Sequence, residues 1–141
     1  MKKFIIEPPL GFIIFITSFL STLTFKDIDF YITGFIIWTF AEYVAHRFIF
    51  HGPFKSHHRL HHIYQNRYTH LPLYISISGG IIFALIFPQA ISGFLTGYCL
   101  YEVMHSFHHK KVTWHKTHHE NNMVYFGVTS MFWDLLLGTW D

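Results

Sequence analysis

Residues 71–101 contain no charged side chain over 31 consecutive positions. A helix crosses the hydrocarbon of a bilayer in about 20 residues, so this run is too long for one simple span. Pro88 and Gln89 lie in its middle. A tight hairpin there predicts two short helices, 71–87 and 89–109, the second running on into an aqueous zone. Two further uncharged runs, 8–25 and 30–41, are separated by Lys26, Asp27 and Asp29. None of the runs has the period-two alternation of a strand. The expectation is an all-α integral membrane protein with four transmembrane helices, residues 1–141 forming a single domain. Hydrophobic residues make up 51% of the chain and charged residues 13%, about half the usual charged share of a soluble domain. That composition excludes disorder. A single cysteine, Cys99, excludes a disulfide scaffold and a cysteine zinc site. A net charge of +2 gives no footprint for nucleic acid.

The number of spans decides which side each polar segment faces. With four, residues 46–70 and 105–141 share a side with the N-terminus. Lys2, Lys3, Arg47, Lys55, Arg59, Arg67, Lys110, Lys111 and Lys116 would then all be cytoplasmic, and only Lys26 would face out. This is the asymmetry of the positive-inside rule. It places both termini in the cytoplasm, with a histidine-rich helical cap on that side. Glu7, Pro8 and Pro9 separate Lys2 and Lys3 from the first apolar run, and no A-x-A-like site follows. The run therefore reads as an anchor rather than a signal peptide.

Thirteen histidines occur in the chain. All lie in the two expected cytoplasmic segments or at the span ends beside them. His46 and His51 close the second span; His58, His61 and His62 follow as HxxHH. His105, His108 and His109 close the fourth span; His115, His118 and His119 follow as a second free-standing HxxHH. On a helix, positions i, i+3 and i+4 share a face, so each HxxHH aims three imidazoles at one region. Neutral imidazole is a ligand for zinc, copper, iron and nickel. So many convergent histidines exceed what one tetrahedral zinc uses, and two metal ions are the economical reading. A histidine-rich metal transporter or metal-binding membrane protein is the non-enzymatic alternative. Transport places polar ligands inside the spans near the midplane, whereas these histidines sit at one interface.

Carboxylates extend the pattern. Glu42 precedes His46 by four residues and Glu102 precedes His105 by three. A ligating histidine commonly gives its other N–H to a carboxylate, which fixes its tautomer. Glu42 and Glu102 are read in that supporting role, with direct ligation and a solvated helix end as alternatives. Asp134 is read either as a similar support for a C-terminal histidine or as a helix cap.

The order HxxxxH, HxxHH, HxxxH, HxxHH resembles that of the fatty acid hydroxylase and sterol desaturase superfamily of membrane di-metal oxygenases. Glu42-Tyr43, Phe126-Gly127-Val128-Thr129-Ser130, Trp133-Asp134 and Gly138-Thr139 are similar to that family too, the C-terminal stretch to fatty acid 2-hydroxylases. The six-residue gap between His51 and His58 is closer to bacterial beta-carotene hydroxylases. Spacing alone does not choose between His108 and His109. The resemblance implies ten ligands: His46, His51, His58, His61, His62, His105, His109, His115, His118 and His119. It leaves out His57, His70 and His108. It further implies two iron ions, with zinc able to take the same sites, and an O2-dependent hydroxylation of a lipid alkyl chain, fatty-acyl or sphingolipid-like. Carotenoid or sterol hydroxylation and desaturation are the alternatives within the superfamily. No catalytic side chain beyond the metal ligands is expected. The chain carries no G-x-G-x-x-G fingerprint, so electrons are expected from a ferredoxin or cytochrome docking on the basic face. The lipid substrate is expected to enter from the bilayer, past Phe48, Phe50, Phe54, Phe107 and Phe126.

Overall fold

Helix α1, Ile28–Val44, begins with Asp29 in its first turn, where a carboxylate complements the positive end of the helix dipole. The computed structural model describes residues 28–64, 73–108 and 113–141, apart from the side chains of residues 73–77 and 106. The expected first span, 8–25, lies outside the described residues. After α1 come a π-helical turn, Ala45–Phe50, then α2, Lys55–Ile63, and α3, Leu73–Ile86. A 3-10 turn, Pro88–Ala90, leads into α4, Ile91–His108; α5, Trp114–Glu120, and α6, Phe132–Leu137, complete the order. The described residues are helical or irregular, with no strand among them.

Apolar side chains surround α1 on every side. Ile28, Phe30, Ile32, Ile36 and Phe40 are all exposed, an apolar surface that a membrane span or a helix covered by a partner carries. With the π-helical turn it forms one apolar helix of 23 residues, Ile28–Phe50. At 1.5 Å per residue this is about 35 Å long, enough for a hydrocarbon core of about 30 Å. The uncharged run 71–101 breaks at Phe87 and Pro88, where Ser78–Ile86 and Pro88–His105 meet at 118°. Proline is tolerated at the first position of a helix because it has no N–H to leave unpaired. The break expected at Pro88 is therefore present, as a bend between two helices. Among the described residues, one helix is long and apolar enough to cross a membrane, or two if the bent pair counts as one span.

The described residues fall into two compact units, one of 28–38 and 73–99, the other of 39–64, 100–108 and 113–141. In the first, α1 and α4 meet backbone to backbone. A Cβ on Gly93 would lie 1.8 Å from the carbonyl oxygen of Tyr31, and one on Gly34 would lie 2.0 Å from that of Ala90. Close approach over small residues is how apolar helices associate where lipid removes the hydrophobic drive. Trp38 sits edge-on to Phe94 and Tyr98, at 5.0 and 5.2 Å between ring centroids. Phe83 of α3 stacks on Phe94 at 4.1 Å.

The second unit buries Tyr43, Val124, Phe126 and Val128 together with many polar groups, most of them histidines. Buried polar groups need partners, and here the segment between α5 and α6 supplies them. Helix α6 ends at Gly138 in the left-handed region (φ 67°), and the following amide, Thr139 N–H, donates to the Asp134 carbonyl. Leu135, Leu136 and Leu137 on α6 are exposed.

Candidate metal centre

The π-helical turn is the first determinant of the site. In an α-helix, residues five apart point about 140° away from each other. In the turn Ala45–Phe50 the amide of His51 bonds back to the carbonyl of His46 at 3.2 Å, an i→i+5 closure that brings His46 and His51 to one side. Their rings lie 5.3 Å apart.

Two groups of imidazoles result. His46, His51, His58, His62 and His118 form one; His61, His105, His115 and His119 form the other. Within each group the offered nitrogen atoms all lie within 4.8 Å of one another. Both HxxHH blocks divide in the same way. Helix α2 gives His58 and His62, at i and i+4, to the first group and His61, at i+3, to the second. Helix α5 gives His115 and His119 to the second group and His118 to the first. The two short helices thus exchange their middle histidine, which ties the groups side by side. His62 and His119, one from each, stack at 4.4 Å.

The nitrogen spacing suits metal ions. Nε2 of His46 lies 3.0 Å from Nε2 of His58, that of His58 lies 3.1 Å from that of His62, and His51 and His118 approach at 3.0 Å. In the second group the separations are 3.0 Å for His61 and His105 and 3.2 Å for His115 and His119. Two nitrogens bound at about 2.1 Å to one ion are roughly 3.0 Å apart at a right angle and 3.4 Å apart in a tetrahedron. The Nδ1 side settles which tautomer is present. His46 Nδ1–H donates to the carbonyl of Phe126, and His118 Nδ1–H donates to that of Val124 at 2.6 Å. Their Nε2 lone pairs are then left to face the group centre. Burial, followed by the neighbouring imidazoles, holds His58, His115 and His118 well below the usual histidine range. His51 is lowered by burial and then by Lys55. The rings are therefore neutral, the state in which imidazole binds metal.

At His46 and His118 the Nδ1–H goes to a backbone carbonyl of residues 124–128 rather than to a carboxylate, and neighbouring carbonyls of that segment hold other side chains of the unit. Val128 O accepts from His108 Nε2–H at 3.1 Å, and Gly127 O accepts from Trp114 Nε1–H at 2.8 Å. The carboxylates act one step further back, on the amides of the same segment. Glu42 Oε1 accepts from Val128 N–H (2.5 Å) and Thr129 N–H (3.0 Å). Asp134 accepts from Phe126 N–H through Oδ1 (2.7 Å) and from Gly127 N–H through Oδ2 (2.8 Å). A trans peptide points its C=O and N–H in opposite directions. Anchoring the amides therefore turns the carbonyls towards the imidazoles. Gly127 is required here, because a Cβ would lie 2.1 Å from the Ser130 carbonyl and 2.9 Å from Asp134 Oδ2. Glu102 is half-buried one turn before His105.

Nine of the ten expected ligands thus come together, and His109 lies outside the described residues, as does His70. His57 is exposed. His108 is buried at 1% exposure, with its ring 4.4 Å from that of Trp114. Of the five phenylalanines expected along a lipid path, Phe50 stacks on His58 at 5.1 Å, and Phe126 lies 5.3–5.9 Å from His46, His51 and His118. Phe48 and Phe107 are exposed and Phe54 is half-buried. A cleft of about 310 Å³ opens beside the groups, with His51, His58, His62 and His119 in its wall and Lys55, Arg59, Glu120 and Asn121 around them.

Comparison with known proteins places this arrangement. The chain is 32% identical to the ceramide very long chain fatty acid hydroxylase of Schizosaccharomyces pombe, over 79% of this chain and 42% of that protein. It is 31% identical to a dihydroceramide fatty acyl 2-hydroxylase of Arabidopsis thaliana, over 77% of this chain and 59% of that protein. It is 34% identical to the ceramide very long chain fatty acid hydroxylase of Saccharomyces cerevisiae, over 76% of this chain and 36% of that protein. The chain therefore spans between about a third and three fifths of these relatives' lengths. No family model matches it, and neither does a solved structure.

Proposed function

Because the chain belongs to the fatty acid hydroxylase superfamily, we propose that it is a membrane-bound, di-iron, O2-dependent hydroxylase of a lipid alkyl chain. A fatty-acyl or sphingolipid-like substrate is the preferred reading, in line with the names of its relatives. The observation that carries the proposal is the pair of adjacent all-imidazole groups. Two irons bound there would activate O2, with two electrons from a donor, for attack on an unactivated C–H bond, which no protein side chain can do. The chain's own residues do the rest. The histidines would hold both ions, with the two short helices each contributing to both groups. Phe126 O and Val124 O hold His46 and His118 in the ligating tautomer. Phe50 and Phe126 give the groups an apolar wall against which a methylene is held away from water.

The polar cleft opens on the opposite character. Lys55 and Arg59 at its rim offer positive charge to an acidic electron donor such as a ferredoxin or small cytochrome. Four spans with both termini and the histidine groups on the cytoplasmic side complete the proposal. The charge asymmetry of the sequence and the apolar helix Ile28–Phe50 support it.

Lipid mass spectrometry of cells expressing the chain, against His118→Ala, tests the function. The expected product carries one additional oxygen and depends on O2 and an electron donor. Loss of two hydrogens would identify a desaturase instead. Metal binding with no lipid change under full reductant supply would favour the transporter reading and contradict the proposal.

A further inference from the structure

Four side chains of the second unit form one ordered hydrogen-bonded chain. Arg47 Nη1–H donates to the Tyr43 hydroxyl at 2.6 Å. Thr139 Oγ1 gives its single proton to Asp134 Oδ1 at 2.8 Å. The contact between the Tyr43 and Thr139 hydroxyls, 3.0 Å, therefore runs in one direction, with Tyr43 donating and Thr139 accepting. Tyr43 and Asp134 are fully buried, and Thr139 is 7% exposed. The Arg47 guanidinium also lies over the rings of Tyr43 and Phe126, 5.9 and 5.7 Å from their centroids. Every link donates towards the same carboxylate, so each polarises the next, and the charge of Arg47 reaches a buried anion through two hydroxyls.

The anion ends the chain on a peptide group that matters. Asp134 Oδ2 holds the N–H of Gly127, and the carbonyl of that same peptide, Phe126 O, receives Nδ1–H of His46. The route is carboxylate, peptide, imidazole. It is a carboxylate–histidine support with one planar amide inserted between the partners.

We propose that Tyr43 and Thr139 are positioning residues for the five-histidine group: with Arg47 they fix Asp134, which fixes the Phe126–Gly127 peptide, which holds His46 in the tautomer and direction that ligate. This rests on the reading of the imidazole groups as metal sites, and it concerns one group of the two. Among the described contacts the chain reaches His46 and no ligand of the other group.

Thr139→Val removes the hydroxyl while keeping the shape, and Thr139→Ser restores it. Purified full-length variants are titrated with Zn2+ against a chromophoric chelator, with Co2+ absorption as a second readout. The expected result for Thr139→Val is about a tenfold weaker affinity for one ion, an altered Co2+ band for that ion, and an unchanged second ion. Thr139→Ser is expected within twofold of the parent. Tyr43→Phe is expected to shift the same ion and decides the matter if Thr139→Val does not fold. Two ions bound with parental affinity in Thr139→Val, even at a lower melting temperature, would overturn the proposal. So would equal weakening of both ions, or failure of Thr139→Ser to rescue. A parent chain that binds two ions while Thr139→Val binds them identically removes the positioning role alone; a parent chain that binds none removes the metal reading and the proposal with it.

Discussion

His57 and His58 are neighbours on α2 with different surroundings. His57 is exposed, whereas His58 is buried against Phe50, with its Nε2 3.0 Å from that of His46. His57→Ala is therefore expected to keep iron content and product formation within about twofold. His58→Ala is expected to lose at least about 100-fold in product, since removal even of a group that merely supports a ligand costs 10- to 100-fold. His108 is a third case. It is neither a member of the two groups nor a surface residue, because it donates to the Val128 carbonyl inside the second unit. His108→Ala leaves that carbonyl unpaired, at a cost of about 1–3 kcal/mol, and is expected to lower the melting temperature while the metal count is retained. Parallel iron assays and thermal melts of the three variants read these outcomes. The motif left His108 outside the ligands but carried no sign of its burial. Burial comes from Val128 and Trp114, at separations of 20 and 6 residues that no local pattern announces.

Element by element, the sequence was legible where spacing matches an α-helix and misleading where it does not. HxxHH puts three rings on one side of α2 and of α5, and both helices are present. The spacing only grouped each triplet together; it did not reveal that the middle histidine crosses to the other group. His46 and His51, five apart, required the π-helical turn, for which α-helical arithmetic has no place. The supporting carboxylates were found as residues, but their action through peptide groups depends on contacts such as Glu42 to Val128, 86 positions apart. The apolar helices show the reverse situation. Their existence follows from charge-free runs, while their contact follows from Gly34 and Gly93, whose role is invisible without the partner backbone. Gly93→Ala drives a Cβ against the Tyr31 carbonyl. Overpacking of that kind costs about 1–3 kcal/mol, so the melting temperature is expected to fall, and an unchanged one would show that the two helices separate freely.

At the scale of the whole molecule, the balance of charge and apolar surface sets the frame. Ile81, Ile82, Leu85 and Ile86 on α3 are exposed, as are the leucines of α6, surfaces that an aqueous monomer rarely presents together. The proposed four-span arrangement would place Asp27 and Asn121 on opposite sides of the membrane. Membrane-impermeant labelling of cysteines introduced at these positions, in a background lacking Cys99, is expected to reach them from opposite sides; labelling from one side would break the arrangement. The proposed function requires that the histidines hold two metal ions. Its most direct measurement is the number of ions per chain after anaerobic reconstitution of the purified protein with Fe2+ and removal of loosely bound metal. Two per chain is the predicted result, and one or none would contradict it.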